Sequence, residues 1–216
     1  IMIRRGYYRG EVMVVLVTET AAFANEQPIV TDIAAEIPDV KSIVLNHNPR
    51  ALHMQLSGQN RTLWGADAIK DTLLGITFNI GPNSFYQVNP QTTEVLYDLA
   101  AQKAELTNTD LVIDAYSGIG TIGLTVASRV KQVIGVEVIE RAVQNAQENM
   151  RANGIQNASF IVGDAPATMR RWAEDALQPD VVFVDPPRKG LTVELMDAVV
   201  AMDPSRFVYI SCNPAA

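Results

Sequence analysis

Residues 111–124, LVIDAYSGIGTIGL, decide the fold. Leu111 to Tyr116 form a short apolar run interrupted only by Asp114, the composition of a strand buried on both faces. Gly118, Gly120 and Gly123 follow at G-x-G-x-x-G spacing, where a strand gives way to a helix. Glycines there let the backbone turn tightly and approach a ligand closely. Alone, this pattern is shared by nucleotide-binding folds of several kinds, NAD-dependent ones included.

Working outward, the same alternation continues. QVIGVEV is followed by a helix through Met150, ASFIVGD by one through Trp172, VVFVD by one through Met202, and RFVYIS closes the series. Apolar strands each trailed by a helix predict an α/β, Rossmann-like architecture, a parallel-rich sheet covered on both faces. Its ligand belongs beyond the carboxyl ends of the strands. Upstream, EVMVVLVT, KSIVLNHN, ALHMQLSG, RTLWG and GITFNIG read as short strands, with a helix over Gln27 to Glu36. This portion predicts a small appended α+β unit with a largely antiparallel sheet. Gly81-Pro82-Asn83 punctuates the chain, giving domains 1–82 and 83–216. A helix from Gln91 to Glu105 is expected to present Val95, Leu96, Leu99 and Ala100 on one face.

Composition narrows the function classes. The 216 residues are 48% hydrophobic and 19% charged, with no apolar run approaching the ~20 residues that span a bilayer. No membrane partner is expected, and the chain reads as cytoplasmic. One cysteine excludes an internal disulfide framework, and no metal site is predicted. The net charge of -7 opposes nucleic-acid binding unless the acidic residues lie away from the cleft. The chain opens on Ile1 and reads as a piece of a longer protein.

Polar residues fall where the fold predicts a site. Glu137 ends the second parallel strand, where a carboxylate accepts from both ribose hydroxyls, in NAD or S-adenosylmethionine alike. Asp164 follows the third, placed either for an adenine amino group or as a solvated loop residue. After the fourth comes Asp185-Pro186-Pro187-Arg188-Lys189-Gly190, a carboxylate, two rigid prolines and two cations. Amino-group methyltransferases use a related Asp-Pro-Pro step followed by an aromatic residue; here Arg188 stands in that place. After the fifth comes Ser211-Cys212-Asn213-Pro214. A thiol near cations at a strand end is in the setting that lowers its pKa from about 8.5.

SFYQVN at 84–89, DAYSGIGTIGL, GVE at 135–137, DPPRKG and SCNP occur in this order along the chain. Together they resemble the RNA 5-methyluridine (uracil-C5) methyltransferases of ribosomal and transfer RNA. The resemblance covers essentially the whole chain. It implies a class I methyltransferase fold, S-adenosyl-L-methionine as cofactor, and an RNA substrate, ribosomal before transfer RNA. It also implies that Gln87, Tyr116, Glu137 and Asp185 contact the cofactor and that Cys212 attacks the base; by their positions after the strands, Gly118 and Asp164 join the candidate cofactor-binding residues. Many relatives have Cys at the position of Ser117, which is not the nucleophile.

The chemistry explains the residue types. Thiolate addition at uracil carbon 6 makes carbon 5 nucleophilic enough to take a methyl group, after which a base removes the carbon 5 proton. In the family that base is a Glu beyond SCNP, expected here beyond Ala216. An N-terminal RNA-binding domain, in some members with an iron-sulfur site, is likewise expected outside this chain. The target uridine must leave its stack, and Phe85 and Tyr86 could line its pocket. His47 and His53 are assigned no chemistry. An NAD-dependent oxidoreductase leaves DPPRKG and SCNP unexplained. A noncatalytic RNA-binding module leaves Cys212 without a purpose.

Overall fold

The computed structural model describes residues 1–49, 56 and 58–211. Two compact units divide the chain, one of Ile1–Thr72 with Thr77–Phe85, the other of Leu73–Ile76 with Tyr86–Ala216.

In the first unit, β1 (Met2–Arg5), β2 (Val12–Thr18), β3 (Val40–His47) and β4 (Gln59–Gly65) form one sheet in that order. The outer pairs are antiparallel, but β2 and β3 are parallel. This corrects the antiparallel expectation at its centre. The cause is α1 (Glu26–Glu36), which carries the chain back across the sheet and so lets β3 run alongside β2. Val30 of α1 is buried against Val14, Leu16, Val40 and Ile43. Strands β5 (Ile69–Leu73) and β6 (Ile76–Ile80) pair separately around Leu74-Gly75, both with positive φ, as a two-residue hairpin turn requires. Neither β1 nor β5 is legible as a strand in the sequence. Asp71 breaks the apolar alternation of β5, and the structure employs it elsewhere: it is fully buried and accepts the backbone N–H groups of Tyr7, Tyr8 and Arg9 at 2.8, 2.9 and 3.2 Å. Most of the expected ALHMQLSG strand lies outside the described residues.

The second unit opens with α2 (Pro90–Lys103), started by the Asn89 side chain accepting from Thr92 N–H, with Pro90 in the first turn. Then come β7 (Leu111–Ala115), α3 (Thr121–Val126) with a 3-10 turn over Ala127–Arg129, β8 (Gln132–Glu137), α4 (Glu140–Ala152), β9 (Ala158–Val162), α5 (Ala165–Glu174), β10 (Val181–Val184), α6 (Val193–Met202) and β11 (Arg206–Tyr209). All five strands are parallel, in the order β11-β10-β7-β8-β9. Helices α5 and α6 cover one face, burying Met169, Leu195, Ala198 and Met202 against Ile113, Ala115, Val136, Val182 and Val184. Helices α3 and α4 pack on strands of the same sheet. This is the predicted α/β Rossmann-like arrangement.

The apolar face expected on α2 is only partly its buried face: Val95 and Leu99 are 70% and 49% exposed, while Ala100 joins Thr93, Tyr97 and Ala101 in the buried stripe. Small residues let this helix approach closely, and one large amphipathic side chain fills the space that remains. The C-terminal end of α2 is held by Arg206, whose guanidinium donates to the Ala104 and Glu105 carbonyls at 2.9 and 2.7 Å and to Asp110 at 2.9 Å.

Candidate active site

The sheet order places the reversal between β7 and β10, where adjacent parallel strands send their connections in opposite directions and a crevice opens beyond their carboxyl ends. Register fixes what stands there. Val184 pairs with Ala115, and Ala115 with Val136. The next residues, Asp185, Tyr116 and Glu137, therefore stand in a row across three neighbouring strand ends. At the usual strand spacing the row is about 10 Å long at the backbone.

Glu137 is held from two sides. Its carboxylate accepts Gly118 N–H at 3.1 Å through one oxygen and Ile139 N–H at 2.9 Å through the other. Two of its roughly four lone-pair directions are thereby used, leaving the others for a ligand's hydroxyls. Tyr116 adopts φ 64, an uncommon conformation for a tyrosine. It turns the chain out of the strand with the ring half-buried beside the α5–α6 core. Burial, then the charge of Asp164, pushes its hydroxyl pKa upward. Gly118 has φ 55, and a methyl group added there would meet nothing within 4 Å. The loop's outer surface is open at that point, so a ligand can lie against the backbone.

Asp185 is half-buried, and burial raises its carboxyl above the ordinary range. The turn after it closes with Gly190 N–H donating to Pro187 carbonyl at 2.9 Å, leaving Arg188 and Lys189 exposed. Asp164 is exposed and has a second occupation: one of its oxygens accepts Ala167 N–H at 3.2 Å and caps α5. Ser117 is buried, and its hydroxyl has no hydrogen-bond partner among the described residues. Cys212 lies outside the described residues, which end at Ser211. Of the aromatic pair, Phe85 is 71% exposed and Tyr86 half-buried. His47 contacts the Glu19 carbonyl at 3.2 Å, and His53 lies outside the described residues.

Three residues belong to this site that the sequence did not single out. Asp114, 1% exposed, accepts Gly123 N–H at 2.8 Å. Burial pushes its carboxyl up to about 7; that bond pulls it down, while Asp185 and Glu137 push it further up. Tyr97, 3% exposed, sets its hydroxyl 3.2 Å from Thr121 Oγ1. Burial pushes the Tyr97 pKa up to about 12, with Asp185 and Asp114 also raising it. Tyr97, Thr121, Asp114 and Asp185 thus gather at the β7–β10 end of the crevice, with Glu137 and Asp164 at the β8–β9 end; Gln87 is half-buried in the segment before α2. Tyr97 carried no signal of its own beyond its i+4 spacing from Thr93. Among the described residues, no group of three or more His, Cys, Asp or Glu side chains could hold a metal, and no helix is long and apolar enough to cross a membrane.

Comparison with known proteins agrees with this fold. An RNA methyltransferase of Lactobacillus johnsonii, described as uncharacterized, is 51% identical over 99% of this chain, which spans 47% of that relative. A similarly described protein of Lactiplantibacillus plantarum is 49% identical over the whole chain. The chain spans about half the length of the curated relatives it matches. The crystal structure of Pyrococcus abyssi tRNA (uracil-54, C5)-methyltransferase in complex with S-adenosyl-L-homocysteine superposes with a TM-score of 0.77 at 30% identity, over 98% of this chain and 49% of that one. An Agrobacterium tumefaciens SAM-dependent methyltransferase shares the fold, with a TM-score of 0.60 at 19% identity over 83% of this chain and 62% of its own. Residues 54–216 match the pattern described as tRNA (Uracil-5-)-methyltransferase, so the chain belongs to that family and carries a class I methyltransferase fold.

Proposed function

We propose that this chain is the cofactor-binding and catalytic core of an enzyme that methylates carbon 5 of uracil in RNA, using S-adenosyl-L-methionine. The observation that carries the reading is the row Asp185, Tyr116, Glu137 at the switch point of a parallel sheet, in a chain of this family. Glu137 is oriented to accept from the ribose, Gly118 leaves backbone open to the cofactor, and Asp185 and Gln87 flank its other end. Tyr116 packs beside the adenosine, and Asp164 keeps one oxygen for the adenine amino group. When bound, the cofactor supplies an electrophilic methyl group on a sulfonium. Cys212 adds as thiolate to carbon 6 of the flipped uracil, which raises electron density at carbon 5. After carbon 5 is methylated, its proton goes to a base, the electron pair re-forms the 5,6 double bond, and the Cys212 thiolate leaves. Exposed Arg188 and Lys189 favour the thiolate and meet RNA phosphate. The row of carboxylates also suits a nicotinamide dinucleotide, but the family match favours a methyl donor.

The test uses the full-length protein with labelled S-adenosyl-L-methionine and total RNA, ribosomal and transfer fractions assayed separately. Label recovered as 5-methyluridine, abolished by Cys212→Ala, is the expected result. Label on another base, or undiminished transfer by Cys212→Ala, would overturn the mechanism.

A further inference from the structure

The turn that joins β1 to β2 in the first unit is pinned by a buried charge. The Asp71 carboxylate, 0% exposed, accepts the N–H groups of Tyr7, Tyr8 and Arg9 at 2.8, 2.9 and 3.2 Å. Gly6 packs so closely that a methyl group there would lie 2.8 Å from the Lys70 carbonyl oxygen, and Gly10 N–H donates to the Gly6 carbonyl at 3.0 Å. Burying a carboxylate is costly unless several donors meet it, so three donors from one turn fix that backbone firmly. Yet the side chains that the turn carries face outward. Tyr7 and Tyr8 are 52% and 48% exposed, with ring centroids 5.0 Å apart and planes at 88°. The anchoring buries neither ring; it presents two aromatic surfaces at right angles to each other.

The charge around these rings is positive in a chain that is negative. Residues 1–10 hold Arg4, Arg5 and Arg9 and no carboxylate, whereas the whole chain has 24 acidic and 17 basic residues. Arg5, Arg9 and Lys70 are exposed, and the Arg5 guanidinium reaches the end of the turn, 3.8 Å from where a Gly10 methyl would stand. Glu11 accepts Lys70 N–H at 2.7 Å and faces Arg9 at 3.7 Å, so a single nearby carboxylate answers three exposed cations. Exposed flat rings flanked by cations match a nucleic-acid strand whose bases are unpaired: each base offers a face to stack, and each phosphate a negative charge. A duplex hides those faces inside its own stack. We propose that the Tyr7-Tyr8 turn is an RNA contact surface, stacking unpaired nucleotides of the substrate while Arg5 and Arg9 meet their phosphates. The proposal rests on the RNA-methylating reading above. None of these residues stands in the strand-end row, so their part is to hold the RNA and not to transfer the methyl group. A local patch of this kind also lets an acidic chain attract a polyanion.

The probe is a short, fluorescently labelled oligoadenylate, used single-stranded or paired with oligouridylate and titrated by anisotropy against the full-length protein. Tyr7→Leu combined with Tyr8→Leu keeps apolar bulk and removes the flat faces. Affinity for the single strand is expected to fall at least about fivefold, the effect of losing one stacked base. Affinity for the paired probe should fall less. Tyr7→Phe combined with Tyr8→Phe keeps the faces and should bind the single strand as the unmodified protein does. Arg5→Ala should reduce the slope of log affinity against log salt by about 0.7, one phosphate contact fewer. Unchanged single-strand affinity in the leucine variant, equal losses for the two probes, a phenylalanine variant as weak as the leucine one, or an unchanged salt slope would each overturn the proposal. So would an unmodified protein that methylates RNA but binds neither probe, and the methyltransferase reading would then stand. A protein that binds neither probe and methylates no RNA would overturn both.

Discussion

The Asp114 carboxylate reaches across the glycine loop to accept Gly123 N–H at 2.8 Å, with its other oxygen buried and unpartnered among the described residues. Burial, with Asp185 and Glu137 adding to it, places its pKa near 7, against about 3.9 in an unfolded chain. The folded state therefore holds the proton more tightly. The stability this contributes is complete below the unfolded pKa and is lost as pH rises toward and through 7, by at most about 1.4 kcal/mol per pH unit. Asp114→Asn keeps an acceptor for Gly123 and cannot ionise. Urea denaturation of the full-length protein at pH 5 and pH 8 should show a smaller decline for the variant than for the unmodified protein. Parallel profiles would mean that Asp114 is already ionised at pH 5.

Ser117 presents the opposite case, a neutral polar group with no hydrogen-bond partner among the described residues. Its hydroxyl faces Gly135, where an added methyl would lie 3.0 Å from it. An unsatisfied buried hydroxyl costs about 1–3 kcal/mol, whereas a thiol behaves as a small hydrophobe. Ser117→Cys should raise the thermal midpoint by a few degrees with cofactor affinity unchanged. A lowered midpoint, measured by scanning calorimetry, would show that the hydroxyl has a partner in solution.

Two glycines of this site should respond differently to alanine. At Gly135 the new methyl would lie 2.3 Å from Phe160, a buried ring with little room to move, so Gly135→Ala should cost about 2–3 kcal/mol of stability. At Gly118 the methyl meets no protein atom, and the backbone strain at φ 55 should cost about 1 kcal/mol. The methyl there points into open space, so Gly118→Ala should lose cofactor affinity more than stability. Thermal melts and titrations on both variants check the contrast. Equal affinity losses at the two positions would place the cofactor elsewhere.

The parallel sheet was legible because its strands are apolar on both faces, as Val181–Val184 shows with four buried residues in succession. Strand-end carboxylates were legible for the related reason that a polar residue closing such a run must have a use. Helix α2 was legible as a helix but its buried stripe was not, because its largest aliphatic side chains, Val95, Leu96 and Leu99, are exposed, whereas that stripe is built from Thr, Ala and Tyr97. A pattern weighted by hydrophobicity passes over that stripe, and the site residue with it. Asp71 hid β5 in the same way: its burial rests on three backbone donors from a loop more than sixty residues away, and no local pattern records them.

Glu137 tests whether the site is organised before the cofactor arrives. Both its oxygens are acceptors for backbone N–H groups, one from the glycine loop and one from the turn into α4. Glu137→Gln preserves shape but turns one acceptor into a donor, so whichever way the amide lies, either Gly118 or Ile139 N–H faces another N–H. The variant must both loosen that turn and lose an acceptor for the ribose. Cofactor affinity should fall by about tenfold to a hundredfold, as for loss of a hydrogen bond to a charged group. Glu137→Asp keeps the charge on a shorter arm and should recover part of it, because a carboxylate still attracts the same donors. Hydrogen exchange at Gly118 and Ile139 in the cofactor-free protein separates the two contributions. Faster exchange in Glu137→Gln would show that the carboxylate orders the loop in advance. Unchanged exchange with the same affinity loss would assign the whole effect to the ribose contact.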